Sequence, residues 1–396
     1  INLVKTGENT VSCTLTYPDT YNNIEAGDLF LRRYYDYQGH TFVINNNSNM
    51  TFDGITIYGG IGHGFTLGGN MYRWQIINCT IDKRPGYEIK RPISNGTDGI
   101  HVAQSLGYYK IENCNIGYQG DDGINVHEKF STGVRFEDGD PYTLIATKAS
   151  WATPITVGGV VEIKNPDYTD TGFKAIAKAV ELDSANEEIR ITLDRKAPVN
   201  LNAKSLVLNR HFHSDWGIIR NNRFHHNRAR GILLKGNHVL VENNVFEDIQ
   251  SSAMMIEFDV PWQEGYETSN VNVKNNVFRN CDISEWEGAV ITIGAVLMNV
   301  EPAYPINTRL MFEDNVFENP NGKLFRMHTF KDVTIRNNTI KDIKERVRPP
   351  RTDRGVIYAY NGEDLAIYGN TYEQSPLLAP NLFDVRDTVT GNVTIQ

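Results

Sequence analysis

The chain has 396 residues, 40 % of them hydrophobic, with 33 Gly, 15 Pro and a formal net charge of −9. That length suffices for one long solenoid or two domains, either with a substantial core. No apolar run reaches the roughly 18 residues of a helical membrane span, and the acidic balance argues against a general affinity for nucleic acid or anionic membranes.

In chain order, residues 1–40 read as strands without a repeat, an N-terminal β cap or partial β-domain. A repeat then begins. Ile-Asn-Cys-Thr-Ile (77–81), Glu-Asn-Cys-Asn-Ile (112–116), Arg-Asn-Asn-Arg-Phe (220–224) and Glu-Asn-Asn-Val-Phe (242–246) open it, and Lys-Asn-Asn-Val-Phe (274–278), Glu-Asp-Asn-Val-Phe (313–317), Arg-Asn-Asn-Thr-Ile (336–340) and Tyr-Gly-Asn-Thr-Tyr (368–372) continue it. One Asn, or the Cys replacing it, recurs at 79, 114, 222, 244, 276, 315, 338 and 370, with shortest steps of 22 and 23 residues. Short apolar alternations at such a period, with polar corners between them, are the signature of a solenoid. Stacked Asn side chains can hydrogen-bond from rung to rung. The expected fold is all-β, a right-handed parallel β-helix over 41–129 and 214–396. Cys79 and Cys114 stand in the Asn column and read as stacked, unreactive interior thiols; no Cys-x-x-Cys or His cluster accompanies them. Cys13 and Cys281 have no evident partners.

Between His127 and Trp216 the repeat is broken. Val-Gly-Gly-Val-Val-Glu-Ile (157–163), Gly-Phe-Lys-Ala-Ile-Ala-Lys-Ala-Val (172–180) and Glu-Ile-Arg-Ile-Thr-Leu (188–193) read as longer antiparallel strands separated by turn signals. A small inserted β-barrel or sandwich over 130–213 is expected, beginning just after a pair of acidic residues.

That pair, Asp121 and Asp122 in Gly-Asp-Asp-Gly-Ile (120–124), follows Asp98 of Asn-Gly-Thr-Asp-Gly-Ile (95–100) by 23 and 24 residues, about one coil. One rung of a β-helix is roughly 5 Å, and three carboxyl groups that close have pKa values driven apart. Such a split suits acid–base cleavage of a glycosidic bond. Counting from the Asn column extends the site. One polar column runs His63, Asp98, Asp122, Arg230 and Ser252, and five residues further along come Gly68, Ala103, His127, Lys235 and Glu257. The two columns line one groove only if the chain bends between them.

The segment from Gly27-Asp28-Leu29 through Thr41-Phe42-Val43-Ile44, the coils around Asp98 and Gly-Asp-Asp-Gly-Ile-Asn-Val-His (120–127), and Arg-Ala-Arg-Gly-Ile-Leu-Leu-Lys-Gly (228–236) together resemble glycoside hydrolase family 110. The resemblance covers most of residues 27–280, although Glu128 stands where the family pattern has Gly. The Asp-then-Asp-Asp arrangement is also similar to that of polygalacturonases and family 87 α-1,3-glucanases. The resemblance implies an exo-acting α-1,3-galactosidase with a β-helix and accompanying β-barrel domains. In that reading Asp98 and Asp122 hold a water as base, and Asp121 is the acid that protonates the leaving oxygen, giving inversion. His63, His101, His127, Arg230, Lys235 and Glu257 would grip sugar hydroxyls, and Trp262 or Tyr266 would supply a stacking face. The expected partner is an oligosaccharide or polysaccharide, with no nucleic acid, membrane, cofactor or metal. Nothing specifies an oligomeric state. The chain begins at Ile1 with neither Met nor a signal-like segment, as expected where a leader is removed or left out; an extracellular or periplasmic location is expected from the substrate class.

Three other readings stay open, the first being another β-helix α-glycan hydrolase of α-1,3-glucanase or polygalacturonase type. In a polysaccharide lyase the three Asp residues would hold Ca²⁺, with Arg230 and Lys235 as base and charge neutraliser. A non-catalytic carbohydrate-binding β-helix is the third, although it has no need of three clustered carboxylates.

Overall fold

The structure is a computed structural model that describes residues 2–14, 37–86, 91–147, 155–197, 200–284, 288–300, 302, 305–320, 323–341, 356–373 and 382–396. It divides into two units, residues 1–34 and 35–396. In the first, Asn2–Lys5 pairs antiparallel with Val11–Thr14. Most of the expected cap, and the Gly27-Asp28-Leu29 segment, lie outside the described residues. The second unit starts before residue 41, so Tyr37 and His40 belong with the coils that follow rather than with a cap.

The second unit is a right-handed parallel β-helix. Each coil gives one strand to each of three parallel sheets, of ten, ten and nine strands among the described residues. The first coil comprises Phe42–Asn45, Ser48–Asp53 and Thr56–Ile57, and Phe65–Gly68 opens the second. The first Asn of each Asn-Asn pair explains the corner. Asn78, Asn113, Asn221, Asn243, Asn275, Asp314 and Asn337 all lie in the left-handed region, with φ of 54–57°. Short polar side chains tolerate this conformation best after Gly, which fills the same place at Gly369 (φ 65°).

The second Asn turns inward. The Asn222 amide donates to Asn244 Oδ1 at 3.0 Å, and the same bond links Asn244 to Asn276, Asn276 to Asn315 and Asn315 to Asn338 at 3.0 Å, then Asn338 to Asn370 at 2.9 Å. Each Oδ1 also accepts the backbone N–H of the preceding member. Cys114 continues the column, its backbone N–H donating to Asn222 Oδ1 at 2.9 Å. Cys79, Cys114 and Cys281 are buried free thiols, and Cys13 is free and exposed. Two residues beyond each Asn, Phe224, Phe246, Phe278 and Phe317 stack with centroids 4.8–4.9 Å apart. Amide ladder and ring stack together set one register for every coil.

The insertion is a closed six-stranded antiparallel barrel. Its strands run in the order Phe130–Glu137, Asp140–Thr147, Glu188–Leu193, Asp170–Asp183, Val160–Lys164 and Leu206–Asn209, and the last pairs back onto the first. It interrupts the coil between Ile124–His127 and Gly217–Arg220. A separate apolar cluster joins it to the helix: Phe130, Tyr168, Leu206 and Leu208 pack with Phe258, Val260, Tyr266 and Ile306. Tyr266, considered above as a sugar platform, is instead buried here. Its single hydroxyl proton lies between the carbonyl oxygens of Asn209 (2.8 Å) and Lys129 (3.2 Å), and its oxygen accepts the Asn209 N–H at 3.0 Å.

Replacing Asn276 by Ala leaves several buried donors and acceptors of its neighbours unpaired. We expect a loss of about 2–4 kcal/mol, read from the shift of the denaturant midpoint.

Candidate functional site

The site lies where chain entering one ten-stranded sheet turns into its strands. Register aligns Phe65, Ile100, Ile124, Ile232 and Met254 at successive strand starts. The residues two places earlier, His63, Asp98, Asp122, Arg230 and Ser252, therefore form a column. A Gly follows each of the first four because the next coil is so close. A Cβ on Gly99 would stand 2.7 Å from the Gly123 carbonyl oxygen, and one on Gly123 would stand 2.5 Å from that of Gly231.

One hydrogen bond repeats down this column. His40 Nδ1 accepts the backbone N–H of His63 (3.1 Å), and His63 Nδ1 that of Asp98 (3.1 Å). Asp98 Oδ1 accepts that of Asp122 (3.1 Å), and Asp122 Oδ1 that of Arg230 (3.0 Å). His40 is a member that the sequence reading missed. Its 23-residue step to His63 was the available signal, hidden because Thr41 stands where the other coils have Gly.

Asp98, Asp121 and Asp122 converge, each offering an oxygen within 4.8 Å of the others. Their surroundings differ. Asp98 is buried, and its Oδ2 lies 2.7 Å from His101 Nδ1. Asp122 is also buried, with Arg230 Nε 2.8 Å from Oδ1 and Nη2 3.0 Å from Oδ2. Asp121 keeps 14 % of its side chain exposed; Tyr37 Oη donates to its Oδ2 at 2.7 Å, and Arg228 Nη2 stands 3.4 Å from Oδ1. Tyr37 and Arg228 were not foreseen. Burial, reinforced by the charge of Asp121, pushes the Asp98 carboxyl well above the carboxylate range. Burial also pushes Asp122 up, to about 7, against the pull of Arg230.

Of the remaining predicted residues, His63, His127, Lys235 and Glu257 are buried much as Asp98 and Asp122 are. His127 is completely buried and Lys235 nearly so. Both face Glu264, a buried carboxylate absent from the sequence reading: Lys235 Nζ is 3.1 Å from its Oε2, while Lys129 Nζ (3.2 Å) and His127 Nε2 (3.5 Å) approach Oε1. Burial works to raise Glu264, but the groups that face it, His127 when protonated, Lys235 and Lys129, outweigh it and hold the carboxyl well below its usual range. Arg230, expected on a sugar hydroxyl, directs its guanidinium at Asp122. His101 retains 14 % side-chain exposure, and it bridges the two columns because Asp98 bends back three residues to meet it. Trp262 is 60 % exposed, on the turn between Asp259 and Glu264.

The donor spacing of the Asp trio, and of His63, Asp98 and His101, would allow a cation. Asp122 is paired with Arg230, which weighs against one at the trio. The lyase reading uses Arg230 as a free base, whereas its guanidinium is directed at Asp122.

The Asp122 shift has a consequence for stability. A carboxyl raised in the folded state binds its proton more tightly there than in the unfolded chain. Its contribution is full below about pH 4 and is lost as pH rises towards about 7. Asn keeps the Oδ1 acceptor and cannot ionise. The stability of Asp122→Asn relative to wild type should therefore rise between pH 4 and pH 7 and level off above, as melting temperatures measured across pH will show.

Comparison with known proteins places this geometry among relatives. The right-handed beta helix region family matches residues 211–302. An α-1,3-galactosidase B of Bacteroides thetaiotaomicron is 30 % identical over 273 residues, 65 % of this chain and 42 % of that protein. An α-1,3-galactosidase A of Shewanella woodyi is 22 % identical over 71 % of this chain and 47 % of its own length. The chain thus spans less than half of either relative. Among solved structures, the catalytic unit of a family 87 α-1,3-glucanase from Streptomyces thermodiastaticus aligns at 12 % identity and a TM-score of 0.39, covering 88 % of this chain and 50 % of that one. That likeness is too low to argue from. By sequence, the chain is similar to these α-1,3-galactosidases over about two thirds of its own length.

Proposed function

We propose that the chain is a glycoside hydrolase that releases terminal α-linked galactose, α-1,3-linked as first choice, with inversion at the anomeric carbon. The observation that carries this reading is the meeting of Asp98, Asp121 and Asp122, two recessed and one outward. Coupled carboxyls share their protons. With Asp98 and Asp122 raised, the cluster holds protons near neutral pH on the recessed pair; in this reading one of them passes to Asp121, the outward member, which delivers it to the leaving oxygen. Arg230, His101 and a backbone N–H each engage an oxygen of the recessed pair and fix its orientation. Such a pair suits orienting a water and taking its proton.

One oxygen of each carboxyl lies within 4.8 Å of the others, a bound below the roughly 6.5–9.5 Å separation of inverting enzymes, so a covalent glycosyl-enzyme is the second reading. Proton NMR during hydrolysis of an α-galactoside separates the two. Initial release of the β-anomer is expected, and the α-anomer would establish retention.

Terminal action rests on the barrel, which leaves the helix directly after His127 and would wall one end of the groove, with the exposed Trp262 beside it as a sugar platform. An enzyme for such glycans would work in an extracellular or periplasmic space. A short α-1,3-galactoside should yield monosaccharide at once, whereas rapid shortening of a long α-linked polymer without early monosaccharide would refute a closed end.

Asp121→Asn and Asp122→Asn keep size and acceptor geometry but remove the proton. Each should lower turnover by at least about two orders of magnitude with an unchanged circular dichroism spectrum. Near-normal rates in both would sink the assignment.

A further inference from the structure

The Asp98 carboxyl is the end of a chain of rings running into the protein. His101 Nδ1 lies 2.7 Å from Asp98 Oδ2, His101 Nε2 lies 3.3 Å from His127 Nε2, and His127 Nδ1 lies 3.1 Å from the Glu128 carbonyl oxygen. Beyond His127 stands Glu264, 3.5 Å from Nε2. We propose that His101, His127 and Glu264 form a proton relay that sets the charge of Asp98 during the reaction. This deepens the glycosidase reading above and rests on it.

The tautomers follow from the last acceptor. A backbone carbonyl only accepts, so His127 Nδ1 carries a proton. The Glu264 carboxylate is already balanced by the Lys129 and Lys235 ammonium groups, so His127 is neutral at rest and its Nε2 is a bare lone pair. Across 3.3 Å that lone pair requires the proton of the contact to sit on His101 Nε2. A neutral His101 then presents a bare Nδ1, and Asp98 must be the donor to it. One peptide carbonyl therefore dictates that Asp98 rests protonated. Burial supports each link: it lowers His127, lowers His101 to about 4 and raises Asp98.

A single shift along the chain reverses this. The Asp98 proton passes to His101 Nδ1 as the His101 Nε2 proton passes to His127 Nε2. Asp98 becomes a carboxylate, His101 remains neutral as the other tautomer, and His127 becomes an imidazolium facing Glu264. Net charge is unchanged, and no co-reactant is needed. Ionised Asp98 is the form that takes a proton from water. Glu264 stabilises the imidazolium, while Lys129 and Lys235 oppose it. At the other end burial, Asp121 and Glu264 itself disfavour a charged Asp98, while the Asp122 backbone N–H and Arg230 favour it. His63, 3.5 Å from Asp98 Oδ2, and His40 behind it are held neutral by burial and lend no charge. His101, His127 and Glu264 are thus positioning residues that act through Asp98.

Two measurements test this. In protein labelled with ¹⁵N-histidine and free of substrate, long-range proton–nitrogen NMR at neutral pH should show His127 as the neutral Nδ1–H tautomer and His101 as the neutral Nε2–H tautomer. The opposite tautomer at His101 overturns the proposal, whatever the activity. In the whole enzyme, His127→Gln cannot carry the relayed proton, so Asp98 stays protonated to higher pH. Its kcat should fall about tenfold or more, with KM within about twofold and the acid limb of the kcat profile moved up by about one pH unit. An unmoved profile overturns the relay. Absence of wild-type activity on every α-galactoside would instead strike the glycosidase reading, and the tautomers would still decide the relay. Should the variant not fold, the wild-type tautomers decide alone.

Discussion

One hydrogen bond, repeated, organises both the scaffold and the site. In each case a side chain on one coil accepts the backbone N–H of the equivalent residue on an adjacent coil. In the Asn column the acceptor is Oδ1, from Asn244 to Asn370. In the site column it is His40, His63, Asp98 and Asp122 in turn. The bond demands an acceptor at every coil but leaves its chemistry open. Asparagine satisfies it neutrally, histidine with a lone pair, and aspartate with an oxygen that can also exchange protons. The candidate catalytic groups thus occupy positions that this repeated bond makes polar, and Asp98 and Asp122 are oriented by the scaffold's own bonding.

Holding charge this way requires compensation. Two carboxyls of the trio are almost wholly out of water, where an uncompensated charge is costly. Asp122 is compensated by a guanidinium, and Asp98 by keeping its proton. Glu264 takes a third solution, one carboxylate between the ammonium groups of Lys129 and Lys235. Lys129 lies at the root of the barrel and Glu264 on a long corner of a later coil. The ionic centre therefore forms only when barrel and helix are both in place, and the histidine chain from Asp98 ends on it.

The legibility of all this in the sequence divides along the repeat. The coil fold, the Asn ladder and the approach of Asp98 to the Asp pair follow from counting, because parallel pairing converts sequence period into spatial column. Counting cannot say which way a side chain turns within its column. Hence His127 and Lys235 were read as lining a groove, whereas both are buried against Glu264. Glu264 itself sits on a corner of irregular length, 135 residues from Lys129, and no periodicity connects them. Tyr37 and Arg228 escaped notice for a related reason: neither occupies a repeating position, and both reach Asp121 from the turns that precede strands.

The Tyr266 hydroxyl, bonded to Lys129 at the barrel's entry and to Asn209 at its exit, holds the two stems of the insertion side by side. To the helix, the whole barrel is therefore only a two-stemmed corner whose ends are already closed. Loop-closure entropy grows slowly with length, and here the antiparallel pairing of Phe130 and Ser131 with Leu208 and Val207 closes the loop locally. The helix can nucleate its coils on either side without waiting for the barrel. The barrel in turn can vary on its far side without disturbing coil register, provided the stems, the tyrosine that joins them and the face that sets Tyr168 against Phe258 are kept.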